Sequence, residues 1–216
     1  MRADPLNIIF NKEFIPNKNI YLISGNETTL IEKVKSSIVG KYQSRGVFSI
    51  ANIETIKDFV PEPSLFGGKK IFLGKQCKGL DESNLNKIRN ANDIFIFIQE
   101  NTPKIKKIKN LFLKDSTLCL VDCYELNKDS KIKILNHILK NANVEIEENV
   151  YWFLVENIDN KYIFLENSLR KIFDLDQKDI SLENIKKLLT IDSSGKERLF
   201  FWLLKKNKDI IEFYRN

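Results

Sequence analysis

Histidine is almost missing from this chain: His137 is the only one in 216 residues, beside one methionine, two tryptophans and three cysteines. A lone histidine set among Ile134, Leu135 and Ile138 reads as structural, so no Ser-His-Asp or Cys-His constellation can be assembled. Cys77, Cys119 and Cys123 cannot all pair and form no CxxC. Neither a disulfide framework nor a zinc site is expected, and a reducing cytoplasm fits. No apolar run approaches the roughly 18–20 residues that span a bilayer, so no membrane partner is expected. The N-terminal MRADPLNIIFNKEF carries acids and no small-residue cleavage site, which excludes a signal-peptide reading. Glycine is scarce, with eight residues.

What is present points to a globular chain. Hydrophobic residues make up 43% and charged residues 30%, enough for a sizeable core under a solvated surface. The formal charge of +6 fits a nucleic-acid partner. It fits equally a composition rich in Lys, Asn and Ile throughout.

Short apolar runs alternate with amphipathic stretches in the first half. IYLIS (20–24), VFSIAN (47–52), KIFLG (70–74), IFIFIQ (94–99) and TLCLVD (117–122) read as strands. The helices between them are the stretch after Gly25, with Leu30, Ile31, Val34 and Ile38 on one face and Gly40 or Gly46 at its end; Ile53–Val60, stopped by Pro61 and Pro63; Asp81–Asn90; and Ile105–Lys114. Strands without alternation, separated by helices, indicate a parallel sheet covered on both faces. After about Tyr124 only short helices follow: DSKIKILNHILKNAN, ENVYWFLVEN, KYIFLENSLRKIF, SLENIKKLL and KERLFFWLLKK. A boundary near residue 125 therefore divides an α/β domain from a small all-α one.

The passage YLISGNETTLIEKV has the layout of a P-loop: strand, glycine, polar loop, helix. In GxxxxGK[ST] the second glycine lets the backbone wrap the phosphates, the lysine reaches them, and the hydroxyl holds Mg²⁺. Counting from Gly25, those places hold Leu30, Ile31 and Glu32. An aliphatic side chain replaces the lysine and a carboxylate replaces the hydroxyl. A Walker B strand should end in Asp-Glu, yet IFIFIQEN ends in Gln99-Glu100. Two independent losses argue against ATP hydrolysis and leave Gly25 as a strand-to-helix turn. No cofactor and no metal are expected.

A second passage, PEPSLFGGKK (61–70), sets Leu65 and Phe66 in a loop punctuated by prolines and glycines. An adjacent apolar pair in such a place either folds back into the core or projects as a plug for a partner.

These segments together carry a resemblance. YLISGNETTLIEKVKSSI resembles the opening of the bacterial DNA polymerase III delta subunit, an AAA+-like clamp-loader family in which a "yLi-G-E--L" segment occupies the site of a lost P-loop. SLFGGKKIFL resembles that family's Leu-Phe segment with its basic residue and apolar strand. ENVYWFLVENIDNKYIFLENSLRKI resembles the helical second domain, and ISLENIKKLLTIDSSGKERLFFWLL the passage into the third. The match in order and spacing runs over essentially the whole chain.

The resemblance implies a parallel-sheet AAA+/P-loop-like α/β domain over 1–125 that binds no nucleotide. It implies a helical lid domain over 126–195 and the start of a truncated helical collar domain over 196–216. The job implied is that of a non-catalytic subunit of a DNA-directed DNA polymerase holoenzyme in the cytoplasm. Such a subunit binds the sliding clamp (beta) and opens it for loading onto primed DNA, beside the gamma/tau and delta-prime subunits and DNA within the loader. Leu65 and Phe66, with Ser64, would fill the clamp's hydrophobic pocket, and Ile56 and Phe59 on the helix Ile53–Val60 would supply a second contact. Gly67-Gly68 departs from the family's charged residues and raises the ordering cost on binding. The alternative readings are a P-loop NTPase or a DNA-binding module outside replication, the first separated by nucleotide binding and the second by salt-dependent DNA binding.

Other features have bland readings beside functional ones. PKIKKIKN (103–110) could face phosphates or be a solvated helix face. Trp152-Phe153 and Phe200-Phe201-Trp202 could stack on bases, but their Leu and Val neighbours at helical spacing favour core packing.

Overall fold

The computed structural model describes residues 1–189 apart from 47, 58, 60–67, 101, 104 and 176–178. The first unit, Met1–Ser130 with Lys161–Ile163, is built on six parallel strands. They are β1 (Arg2–Ala3), β2 (Ile20–Gly25), β3 (Phe48–Asn52), β4 (Lys69–Lys75), β5 (Ile94–Glu100) and β6 (Leu118–Cys123), in the order β1-β6-β2-β5-β4-β3. The helices are α1 (Pro5–Phe10), α2 (Thr28–Ser44), α3 (Glu82–Ile88) and α4 (Ile105–Lys114).

The three central strands are the continuous apolar runs of the sequence. Every residue of β2 is buried, and β5 and β6 are buried over most of their length. Strands with helices on either side need apolar groups on both faces, which is why their sequences lack alternation. Leu22, Phe95, Phe97 and Leu120 form one core cluster with Leu85, Ile88 and Phe112. At the edge, β3 leaves Ser49, Ile50 and Asn52 exposed, so two-sided cover does not reach this strand.

Three local expectations change. The first is a choice between the two glycines offered as the end of α2: the helix runs through Gly40 to Ser44 and Gly46 follows its last turn. A Cβ on Gly40 would meet nothing, so this glycine is an outward-facing helical residue rather than a stop. The second is that β1 and α1 occupy a stretch read only as the absence of a signal peptide. Asp4 caps α1, accepting from the Leu6 N–H at 2.9 Å, with Pro5 in the first turn.

The third concerns 53–60, where the described residues are not helical. The Ile53 N–H donates to Leu73 O (2.9 Å), the Lys78 N–H to Glu54 O (2.9 Å) and the Ile56 N–H to Lys78 O (3.0 Å). Thr55 bridges Lys78. The chain continues pairing past the end of β3 because the strand ahead of it offers free partners and Ile53, Thr55 and Ile56 are β-branched. Ile53 and Ile56 are buried. The segment is bent rather than a regular strand, which lets both side chains reach the core although a straight strand would put residues three apart on opposite faces. Val60, Pro61 and Pro63 lie outside the described residues.

The second unit takes in Lys131–Asn160 and residues from Phe164 on. Its described residues are helical: α5 (Lys128–Ala142) enters it, followed by α6 (Glu148–Asn157), α7 (Tyr162–Phe173) and a helix over 182–189. Buried Ile134 and Leu135 on α5, Val150, Leu154 and Val155 on α6, and Leu165, Leu169 and Ile172 on α7 supply its apolar interior. The Tyr151 hydroxyl donates to Asn136 Oδ1 at 2.9 Å and ties α6 to α5. Lys131 is buried, and its ammonium donates to the carbonyl of Ile158 at the end of α6.

Trp152 is 41% exposed, against the expectation of core packing. The buried face of α6 is set by Val150 and Leu154, and Trp152 falls on the other side. Phe200, Phe201 and Trp202 lie outside the described residues. No helix of the described residues is long and apolar enough to cross a membrane.

Candidate functional site

The site is built where β2 turns into α2. Gly25 has φ +157°, and a Cβ there would stand 1.7 Å from the carbonyl oxygen of Cys123. Only glycine allows the two main chains to approach so closely. The Glu27 N–H donates to the same carbonyl at 3.2 Å. Cys123 ends β6, on one side of β2, whereas α2 leads to strands on the other side. This is the point where the winding of the sheet reverses, the usual ligand crevice of open α/β sheets. Gly25 and Cys123 are paired across it here as the last partners of β2 and β6.

The helix terminus next to that crevice is filled from within. Glu27 is 3% exposed and caps α2. Its carboxylate accepts from the Thr29 N–H (3.2 Å), the Thr29 hydroxyl (2.8 Å) and the Leu30 N–H. Those backbone amides point where a helix N-terminus offers donors to a phosphate. An internal carboxylate has taken them, and any incoming anion would face its charge.

The positions expected to have lost P-loop chemistry fall into different surroundings. Leu30 and Ile31 are buried and pack with Val34 and Ile38 on the inner face of α2. Glu32 is half exposed and pairs with Lys35 along the helix, so its carboxylate belongs to the helix surface and the repelling charge at the terminus is that of Glu27. On β5, the Gln99 amide donates to Cys77 O at 2.9 Å and braces the turn after β4.

Beside the crevice, Asp122 accepts from Arg2 (3.0 Å), Lys109 (2.8 Å) and the Ser24 hydroxyl (3.4 Å). Lys109 also donates to the Tyr124 hydroxyl at 2.8 Å. Burial works against the Lys109 charge, but the hydrogen bonds to Asp122 and Tyr124 outweigh it and hold the ammonium above its usual range. The lysine run is thereby divided: Lys106 and Lys107 are exposed, whereas Lys109 is turned inward. Burial, with Asp122 and Glu27 nearby, pushes the Cys123 thiol far up, and burial raises Cys119 to about 11. Neither is a thiolate nucleophile at neutral pH. Among the described residues no group of His, Cys, Asp and Glu is arranged to hold a metal ion.

Of the clamp-contact positions, Ser64, Leu65 and Phe66 lie outside the described residues. Ile56 is fully buried in the core and presents no surface to a partner in this conformation. Phe59 is half buried, edge-on to Phe72 (4.9 Å between centroids) and to Phe95 (5.4 Å). It anchors the chain on the sheet shortly before Leu65.

Sequence reasoning missed Glu27, the Cys123 carbonyl and the Asp122 cluster. Glu27 had a weak signal, an acid directly before a helix, but glutamate is not a usual cap. The other two depend on β6 lying beside β2, which no local pattern states.

No protein-family model matches the chain, and no curated protein does. Solved structures do. The Bacillus subtilis DNA clamp loader delta protein (YqeN) aligns at a TM-score of 0.55 and 15% identity, over 94% of this chain and 72% of that one. Domain III of the Thermotoga maritima replication initiation protein DnaA aligns at 0.43 and 12% identity, over 85% and 96%. The Thermotoga maritima RuvB Holliday junction branch migration motor aligns at 0.43 and 10%, over 80% and 61%. The likeness shows the fold alone, a parallel α/β sheet shared with the first of these.

Proposed function

We propose that this chain is a clamp-binding subunit of a replicative clamp loader, the delta subunit of a DNA polymerase III, and that it acts by binding without hydrolysing ATP. The observation that carries the reading is the filled helix terminus. A sheet of nucleotide-binding topology keeps its strand-glycine-helix turn, yet fills the phosphate position with Glu27, whose own N–H donates to Cys123 O. A domain kept in this form is suited to a binding role, and the likeness to a clamp loader delta protein suggests the partner.

In this reading Leu65 and Phe66, flanked by Ser64, enter an apolar pocket of the sliding clamp. Phe59, half buried on the sheet ahead of that loop, supplies a second contact, whereas Ile56 is fully buried. Residues 126–195 serve as a lid domain and 196–216 open a collar. The gamma/tau and delta-prime subunits and DNA are partners within the loader. Opening follows from differential affinity: a ligand that prefers the open ring shifts the equilibrium by that preference and no more.

The test is calorimetric titration of the chain with its cognate clamp, with and without Leu65→Ala/Phe66→Ala. Burying one Leu and one Phe contributes roughly 1.5–3 kcal/mol each. The expected loss for the double variant is therefore about 3 kcal/mol or more. A folded native chain that ignores the clamp refutes the proposal.

A further inference from the structure

At one edge of the sheet, β3 pairs with β4 alone among the described residues. Edge strands commonly carry a lysine, a proline or a bulge that discourages further pairing. β3 has none of these. It reads Phe-Ser-Ile-Ala-Asn, and its register with β4 is one to one from Phe48↔Lys69 to Asn52↔Leu73. Ile50 at its middle is 49% exposed, and Ser49 and Asn52 are exposed beside it. The clamp reading does not use this edge.

The backbone fixes which groups the edge presents. The Ile53 N–H donates inward to Leu73 O. Main-chain groups of successive strand residues point to alternate sides. Ser49 and Ala51 therefore face β4 as Ile53 does, and Phe48, Ile50 and Asn52 turn their N–H and C=O outward. The edge thus offers three donors and three acceptors, with Ile50 at the centre. A second β3 running antiparallel about a two-fold axis at Ile50 meets every one of them. Ile50 and the partner's Ile50 exchange two hydrogen bonds, and each Phe48–Asn52 pair exchanges two more. A shift of one residue would set these groups opposite residues already turned to β4. Side chains directly opposite each other share a face, so the two exposed isoleucines meet.

Charge agrees with this alignment. Arg45 is exposed at the end of α2, and Glu54 is exposed two residues after β3. Continued past the ladder, the antiparallel pairing brings Arg45 towards the partner's Glu54 at both ends. A parallel copy would set like charge beside like.

We propose that β3 is a self-pairing edge that joins two copies of this chain through an antiparallel β3–β3 ladder centred on Ile50. The contact is isologous and closes at two copies. It is small, so association is weak and concentration-dependent.

The experiment is sedimentation equilibrium of the full chain from roughly 10 μM to 1 mM, the range in which small interfaces associate. A reversible monomer–dimer equilibrium is expected. Ile50→Lys sets two like charges opposite each other, and Ile50→Pro removes an outward N–H while sparing the bonds to β4. Each should weaken the dimer about tenfold or more, with an unchanged circular dichroism spectrum showing that the fold is kept. Arg45→Glu should weaken it about threefold, as for exposed ion pairs, and adding Glu54→Arg should restore it. Cross-linking of Ile50→Cys under mild oxidation tests the register, and decides by itself should the other variants misfold. Cys77, Cys119 and Cys123 are buried, and Cα atoms about 5.5 Å apart in such a pair suit a disulfide. A covalent dimer is expected from Ile50→Cys and not from Asn52→Cys, whose two copies stand four residues out of register. A dimer indifferent to Ile50→Lys and Ile50→Pro, or faster cross-linking through Asn52→Cys than through Ile50→Cys, overturns the proposal. A chain still monomeric at about 1 mM also overturns it and leaves the edge to a strand of a different protein.

Discussion

Replacing Glu27 with alanine removes the acceptor from the N-terminus of α2 and leaves the amides of Thr29 and Leu30 to find other partners. Loss of a capping side chain costs about 0.5–2 kcal/mol. Removing a carboxylate from the positive end of the helix dipole adds about 0.3–1 kcal/mol. The Leu30 amide is buried, and a buried donor without a partner costs about 1–3 kcal/mol. These terms overlap, and relief of the buried carboxylate's desolvation opposes them. A net loss of about 2–3 kcal/mol is the reasoned value, a fall in Tm of roughly 4–12 °C for a chain of this size. Glu27→Gln keeps one acceptor oxygen and should lose about 1 kcal/mol. Urea unfolding followed by far-ultraviolet circular dichroism gives both numbers, provided the slope with denaturant is unchanged. A Glu27→Ala chain within about 0.5 kcal/mol of wild type refutes the claim that this carboxylate organises the turn. The same protein incubated with ATP should show no thermal shift, because Ile31 still stands where a phosphate-binding lysine would be needed. A shift on adding ATP would show that Glu27 alone had kept nucleotide out.

Gly25→Ala forces a Cβ to 1.7 Å from the Cys123 carbonyl, which no rotamer relieves. It should cost more than about 4 kcal/mol and yield insoluble or unfolded chain, whereas a soluble protein with near-native Tm would contradict the close approach. Lys131→Met addresses the buried lysine of the helical unit. Burial lowers its pKa from 10.5, with Asp159 partly opposing. The unfolded chain therefore holds the proton more tightly than the folded one, so the Lys131 contribution becomes more favourable as pH rises from the folded value towards the unfolded one. The stability difference between wild type and Lys131→Met, measured by denaturant titration over alkaline pH, should move in favour of wild type up to about 10.5. A difference that is flat with pH refutes it.

The sheet was legible because burial on both faces leaves a local record. IYLIS, IFIFIQ and TLCLVD have no alternation, and that pattern belongs to strands with cover above and below. The helices of the second unit were legible for a similar reason, since Leu165, Leu169 and Ile172 repeat along one face. Ile53–Val60 misled because the spacing of Ile53 and Ile56 suits a helical face, whereas bends in the chain carry both into the core. The decision came from Leu73 and Lys78, some twenty residues on, whose carbonyls were available to pair. Two-residue β1 is too short to carry any periodicity. Its place beside β6 is fixed instead by the ladder from Arg2 to Leu120 and Ala3 to Val121.

The candidate site divides along the same line. That Leu30 and Ile31 stand where a P-loop has its second glycine and lysine could be read from the sequence, because a motif is a statement about residue types at fixed spacing. How the vacancy was filled could not, because the two groups that fill it are a side chain with an unusual capping role and a backbone carbonyl nearly a hundred residues away. A missing lysine alone would leave an open helix terminus still able to attract anions. Glu27 and Cys123 O remove that residual attraction, and the second requires glycine at position 25. The same glycine that a phosphate loop needs for close approach to its ligand therefore serves here for close approach to the protein's own main chain. A glycine at position 25 is therefore accounted for by the contact with Cys123 without any ligand.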